Sequence, residues 1–531
     1  MPLSLENKLV GALARWRLSM TARAVAGHAP PPQDVPPVVF FNASTRIWGL
    51  SQNAAFQLLT AWSLRLQGVP VVQFVCRGGM SRCILGTDPD HPDRRPPCEA
   101  CIRQSRRLYA GMPQRAFVFH PDDGLEAALR GLDVAALRTF THHGVPLGQL
   151  ALPGLRWRLR RHTLPDDEPT RALYREFIRS AWQVAQDFGA LLDEARPQAV
   201  VVFNGQFFPE ATAKWLARQR GIRVVTHEVG LRPLTAYFTH GEATAYPIDI
   251  PADFDLTPAQ NARLDAYLSR RFQGDFTMAG IRFWPEIRGL DDAFLQKAAA
   301  FRQIVPVFTN VVFDTSQPHA NTVFPHMFAW LDAVLEIIRA HPETLFVIRA
   351  HPDEQRPGKA ARESVRGWVQ QRGVAALPNV VFVDSQEFLN SYDLIRRAKF
   401  VMVYNSTIGL EAVLLGKAVL SGGRARFTRY PSVYFPPTPE AFRRQAEAFL
   451  QADEVPLPDE FRRNARRFLY YQLYKVSLPF DDFLEDDPRQ RGYVVLRAFP
   501  WQALLPENSV TMRVLRRGLL EGRPFVMPEE V

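Results

Sequence analysis

Apolar positions along this chain follow two periods. Short unbroken apolar runs of strand length alternate with longer stretches in which apolar residues recur every three to four positions, a pattern that predicts parallel sheets covered by helices. After a proline-rich break at Pro30 to Pro37, the run VVFFNA (Val38 to Ala43) reads as a strand, Asn53 to Leu66 as a helix and Val69 to Val75 as the next strand. A strand at Ala116 to Phe119, a long helix at Thr170 to Ala195, a strand at Ala199 to Gln206, a helix at Pro209 to Gln219 and a strand at Arg223 to Thr226 continue the series. Residues 241–303 lose the strand period and read as helices punctuated by Pro and Asp, including Thr257 to Arg271.

A second series then runs with little interruption. Strands at Ile304 to Phe308, Leu345 to Arg349, Val380 to Val383, Phe400 to Tyr404 and Ala418 to Leu420 alternate with helices at Phe324 to Ala340, Ala361 to Gln371 and Ser391 to Arg397. The tail is helical at Pro439 to Gln451 and Phe461 to Val476 and carries no repeat. The organisation expected is an amphipathic helix and linker at 1–35, a Rossmann-like domain at 36–240, a helical crossing at 241–303, a second Rossmann-like domain at 304–438 and a tail packing across both at 439–531. The fold class is therefore α/β, with two doubly wound domains and extra helices at both termini.

Polar residues collect where the expected strands end, and open α/β sheets bind ligands there. Asn204 and Gly205 close one strand, with His227, Glu228 and Gly230 following the next. In the second series Thr309 and Asn310 lead to Asp314, and His351, Pro352, Asp353 and Glu354 follow Arg349. The stretch VMVYNSTIGLEAVLLG, Val401 to Gly416, is the most informative. It reads as a buried strand, a tight turn and a helix start in which Ser406 or Thr407 can cap and Gly409 admits a ligand to the backbone. Such a start offers unpaired amides and the positive end of the helix dipole to a phosphate, and Glu411, one turn inside, could accept ribose hydroxyls.

Composition narrows the partners. A net charge of +10 and a pI near 9.6 favour anionic ligands, yet no Lys/Arg run is interleaved with aromatics, so nucleic acid is not expected. No apolar run approaches a membrane span and the N-terminus lacks a signal-peptide core, so the expected location is cytoplasmic. Residues 3–26 set Leu5, Leu9, Leu13 and Trp16 beside Lys8, Arg15, Arg17 and Arg23, which suits either peripheral contact with the anionic inner face of a membrane or packing on the protein's own body. The Arg-rich segment near His142, from Arg156 to Arg161, either meets an anionic acceptor or forms a solvated face.

All four cysteines, Cys76, Cys83, Cys98 and Cys101, fall in one insertion at 76–101 with the spacing C-x6-C-x14-C-x2-C. Two readings stay open: structural thiolate ligation of Zn or an iron–sulfur cluster, and four reduced, buried thiols.

Over residues 304–425 the segments FTNVVFDTS, FVIRAHPDE and SYDLIRRAKFVMVYNSTIGLEAVLLGKAVLSGG resemble the capsule and surface-polysaccharide branch of the GT-B glycosyltransferases, related to bacterial Kdo transferases and teichoic-acid glycerophosphotransferases; the likeness extends more weakly to about residue 36. The resemblance implies two lobes facing a central cleft, the first binding a glycan or glycolipid acceptor and the second a nucleotide-sugar donor. Carried over, it places Ser406, Thr407 and Glu411 at the donor's phosphates and ribose, with His351 beside the diphosphate and no catalytic metal; Thr309, Asn310 and Gly409 join the donor-binding candidates from their places at the strand ends and the turn. The base that deprotonates the acceptor is expected on the first lobe, with Glu228 the first choice, Glu210 and His142 behind it, and Asn204, Gly205 and His227 on the acceptor side. Rival readings are a UDP-sugar 2-epimerase, a CDP-polyol phosphotransferase and a non-catalytic scaffold of a polysaccharide assembly complex.

Overall fold

A computed structural model describes residues 5–43, 49–273, 277–278, 281–282, 289–356, 358, 360–387 and 389–529. The first sheet is built on β1 (Val38–Asn42), β2 (Val71–Cys76), β3 (Gln114–Phe117), β4 (Ala199–Phe203), β5 (Arg223–Val229) and β6 (Thr235–Thr239). Every residue of β1 is buried, which explains its continuous apolar run: helices cover both faces, so no alternation is needed. The parallel strands lie in the order β3-β2-β1-β4-β5, with β6 antiparallel beyond them. Val38 pairs with Val71 on one side and Ala199 on the other.

The second sheet repeats the plan. Its strands β7 (Gln303–Phe308), β8 (Thr344–Arg349), β9 (Val380–Val383), β10 (Val401–Val403) and β11 (Val419–Ser421) are parallel, in the order β9-β8-β7-β10-β11. In both sheets the chain reverses direction of travel beside the first strand, leaving a crevice at the strands' carboxyl ends. In the second sheet that crevice falls between β7 and β10, where Val307 pairs with Met402.

Six helices surround or support the two sheets at the places that matter for function: α1 (Leu5–His28), α2 (Gln52–Leu66), α3 (Cys98–Leu108), α4 (Glu168–Ala195), α5 (Pro258–Phe272) and α6 (Ile408–Leu414). Helix α5 starts at a full capping box between Thr257 and Gln260, and Pro258 takes the first turn, where its missing N–H costs nothing. The helix expected from Phe324 begins at Met327 instead, because the His326 side chain accepts the Ala329 amide and caps it there.

The tail departs furthest from the pattern expected of it. A helix at Asp459–Tyr470 packs on the second lobe against α6 and passes into a wide turn at Tyr471–Lys475. The chain then returns to the first lobe, where β12 (Leu478–Pro479) pairs antiparallel with β6 and closes the sheet edge. Leu231 and Arg232 hold this crossing, through Leu231 N to Ser477 Oγ (3.1 Å) and Arg232 Nε to Leu473 O (2.8 Å).

Candidate active site

The carboxyl ends of the second sheet open onto a cavity of about 670 Å³, closed on its far side by Leu231 and by Thr244 to Pro247 of the segment that follows β6. Contacts between the lobes brace its rim. His319 Nε2 stands 3.1 Å from Gln206 Nε2 and 2.8 Å from Thr244 Oγ1, and Tyr430 accepts the Ile250 amide at 2.7 Å. Glu363 binds the His162 and Thr163 amides at 2.7 and 2.8 Å.

Thr309, Asn310, His351, Ser406, Thr407 and Glu411 all line this one cavity, as the sequence predicts. Their arrangement follows from the crevice between β7 and β10. Asn310 leaves the end of β7 and Asn405 the end of β10, and Asn310 Nδ2 donates to Asn405 Oδ1 at 2.7 Å across it. Behind that bridge the chain turns sharply into α6. The first intrahelical donors are Gly409, Leu410 and Glu411, so the amides of Ser406, Thr407 and Ile408 have no protein acceptor among the described residues. All three residues line the cavity, which makes the turn a candidate seat for an anion.

His351 caps the short turn Pro352–Gln355, its Nδ1 accepting the Asp353 amide at 3.1 Å. Burial holds the imidazole below its usual range against the opposing pull of Asp353 and Asp314, so the ring is neutral. With Nδ1 an acceptor, the proton sits on Nε2, and His351 presents an N–H donor. Five arginines line the cavity (Arg271, Arg349, Arg424, Arg426, Arg429) against three carboxylates (Asp314, Asp353, Glu411), a balance that selects an anionic ligand. Arg426 stacks on Tyr246 at 3.9 Å, and Arg349 donates to Asp384 O at 2.6 Å. Sequence pattern alone does not single out Arg424, Arg426 and Arg429; the signal was the run RARFTR directly after Gly423.

Several expected roles change. Gly409 does not face the ligand space: a Cβ there would stand 3.1 Å from Val403 and 3.2 Å from Phe427, so the glycine lets α6 lie close on β10. Thr309 is 2% exposed and its hydroxyl donates to Arg349 O at 3.0 Å, tying β7 to β8 rather than reaching a donor. Glu411 is engaged on both oxygens, by Arg271 Nη2 at 2.5 Å and by the Tyr392 hydroxyl at 2.6 Å. Neither Ser406 nor Thr407 caps α6, since no side-chain cap hydrogen bond forms there.

On the first lobe, Asn204 and Gly205 occupy left-handed backbone (φ +59° and +79°), which Asn tolerates better than most residues. This turns the Asn204 side chain onto Glu228 Oε1 at 2.5 Å and toward Thr315 Oγ1 of the other lobe at 3.4 Å. Glu228 is not on the cavity wall, but its charge reaches Tyr246, which is. Strand alternation sends its neighbour the opposite way. His227 is fully buried, 2.8 Å from Gln57 and stacked on Phe238, and burial pushes it down to about 3; it is a core residue, not an acceptor contact. His142 packs edge-on against Trp182 of α4, with centroids 4.7 Å apart, and Glu210 is buried in the helix Phe208–Gln219; neither lines the cavity.

The four cysteines line a second, small cavity of about 30 Å³. Cys76 ends β2, while Cys98 and Cys101 sit in the first turn of α3. The Gly79 amide donates to Cys76 Sγ at 3.2 Å and the Gly86 amide to Cys83 Sγ at 3.1 Å. Burial nevertheless pushes Cys76 and Cys101 up to about 12 and Cys83 to about 11. None is in a disulfide, and among the described residues no three Cys, His, Asp or Glu groups are spaced to hold one metal ion.

Two doubly wound sheets that share one cavity at the second sheet's switch point make this a GT-B-like fold. Residues 285–431, a stretch that holds all five strands of the second sheet, match the family described as "Capsule polysaccharide biosynthesis protein". The chain is 28% identical over 228 residues to Protein FixF of Sinorhizobium fredii (strain NBRC 101917 / NGR234), a match covering 42% of this chain and 48% of FixF, so the chain spans about half the length of that curated relative. Among solved structures, Thermosulfurimonas dismutans KpsC, beta Kdo 2,4 transferase, is 12% identical with a TM-score of 0.34 over 53% of this chain and 80% of its own. UDP-GlcNAc 2-epimerase from Neisseria meningitidis, bound to UDP-GlcNAc, is 12% identical with a TM-score of 0.24 over 82% and 98%.

Proposed function

We propose that the chain is a glycosyltransferase that moves a sugar from a nucleotide-sugar donor to a surface polysaccharide or glycolipid acceptor, with no metal in the chemical step. The observation that carries this reading is that residues 406–408, whose amides have no acceptor among the described residues, line one interlobe cavity together with His351 and an arginine-rich wall. The donor's diphosphate lies on the α6 turn, and the acceptor enters from the first lobe. The acceptor hydroxyl attacks the anomeric carbon while the bond from that carbon to the phosphate oxygen breaks. Its proton passes to a first-lobe base, for which Glu228 is the candidate because Asn204 ties it to Thr315 of the other lobe although it stands just off the cavity wall, and the charge left on the nucleoside diphosphate is met by the amides, His351 and the arginines. Preorganised donors of this kind in a closed site are each worth about 3 kcal/mol at the transition state.

The test is a thermal-shift screen of nucleotides and nucleotide sugars, followed by a transfer assay with the donor that binds. A bound donor raises the melting temperature because it binds only the folded state. His351→Ala is expected to cut transfer tenfold or more while the chain stays folded, equivalent to about 1.4 kcal/mol or more. No shift with any nucleotide would overturn the reading. Conversion of UDP-GlcNAc without an acceptor would replace it with an epimerase.

A further inference from the structure

Helix α1 has two apolar faces. One, with Gly11, Ala22 and Val25, is buried against the first lobe beside α2. The other consists of Leu9, Leu13, Trp16 and Met20, exposed by 63, 46, 59 and 44%. At 3.6 residues per turn these four fall within about 60° of arc, centred opposite Val25 and Ala22. Only six large hydrophobic side chains are exposed among the described residues, and these are four of them. The described residues leave this row exposed, and an apolar patch of this kind marks an interaction site.

Charge selects the occupant. The helix carries four Lys and Arg residues against one acidic residue. Arg15 and Arg23 are exposed on one flank of the row, and Arg17, on the other, is anchored to Glu485 Oε1 at 3.2 Å. Long apolar side chains bordered by arginines suit the interface of a bilayer carrying anionic lipid, where the apolar row enters the acyl boundary and the guanidinium groups meet headgroup phosphates. No described helix is long and apolar enough to cross a membrane, so the contact is peripheral. The geometry points to α1 as a docking surface for an anionic membrane, lying flat with Trp16 and Leu13 inserted. This stands apart from the donor chemistry, and its test uses no nucleotide.

The full chain is sedimented with vesicles of phosphatidylcholine alone and with added phosphatidylglycerol, at low and high salt. Binding to the anionic vesicles, weakened by salt, is expected. Leu13→Glu/Trp16→Glu should lower vesicle affinity tenfold or more, and Arg15→Glu/Arg23→Glu should remove most of the preference for anionic lipid. Thermal unfolding of both variants should stay close to that of the parent, since these side chains lie on the exposed side of the helix. Absence of binding by the parent chain, or equal binding by Leu13→Glu/Trp16→Glu, would overturn the inference. So would a dimer in sedimentation equilibrium that this same double variant dissolves, because a second copy would then cover the face.

Discussion

In a Glu411→Ala chain, Arg271 keeps its charge in a place where its side chain is only 8% exposed, and the Tyr392 hydroxyl loses the carboxylate it donates to. Burial pulls the Arg271 guanidinium down, but Glu411, with Tyr267 and Tyr392 behind it, more than restores it, so the arginine is charged and leans most on that carboxylate. Breaking a buried pair by deleting one member costs about 3 to 5 kcal/mol, because the remaining ion is neither solvated nor matched. Loss of the tyrosine's acceptor adds about 1 kcal/mol or more. Against a typical stability of about 5 to 15 kcal/mol, this is a large share of what holds a domain together. The assay is urea unfolding of the full chain, followed by circular dichroism, on Glu411→Ala, Arg271→Met and the double variant Arg271→Met/Glu411→Leu. Both single variants should unfold at markedly lower urea, and the double should recover most of the loss, since a matched apolar pair leaves no buried ion behind. A Glu411→Ala chain within about 0.5 kcal/mol of the parent would refute the reasoning, because only a surface-like site tolerates such a change so well. Glu411 would then be free to act as a ligand contact alone.

Glu354 offers a pH test. Burial pushes its carboxyl up to about 7 from 4.5, against the Val365 amide that pulls it down. The folded chain therefore holds a proton that the unfolded chain releases between those values, so stability is full below pH 4.5 and falls as pH rises to 7, by up to about 3 kcal/mol. Glu354→Gln should flatten that slope and raise the melting temperature at pH 8, and an unchanged slope would count against it. Glu228→Gln should lower the transfer rate by about a hundredfold or more with donor affinity unchanged, as removal of a general base does; a loss confined to donor binding would assign Glu228 elsewhere. The thiols, pushed up by burial to about 11 or 12 at Cys83, Cys76 and Cys101, should react slowly with a thiol reagent at pH 8 until the chain is unfolded, when all four titrate. Rapid native-state labelling of more than one thiol would show that the insertion is open.

The sheets were legible because buried parallel strands such as β1 and β8 must be apolar on both faces, which leaves an unbroken signature. The α6 turn was legible for a related reason: polar residues directly after such a run can only lie at a sheet's carboxyl end. What escaped the sequence depends on partners distant along the chain. Arg271 and Glu411 are 140 positions apart, and neither residue type announces the other. Gly409 looks the same whether it admits a ligand or a neighbouring strand, and only the placement of Val403 and Phe427 decides. Arg424, Arg426 and Arg429 belong to no periodic element, so nothing in the pattern marks them as cavity wall. The edge strand Leu478–Pro479 is two residues long and half proline, below what periodicity can register.

That short strand has a mechanical consequence. Because the chain leaves the first lobe through residues 241–303 and comes back through Tyr471–Lys475, two covalent spans tie the halves where most two-lobed proteins built from one pass would have one. A body held at two points turns easily only about the line between them, so the halves can part like covers on a spine while sideways twist is resisted. An opening about that line would bring the groups on opposite covers back together in the same register.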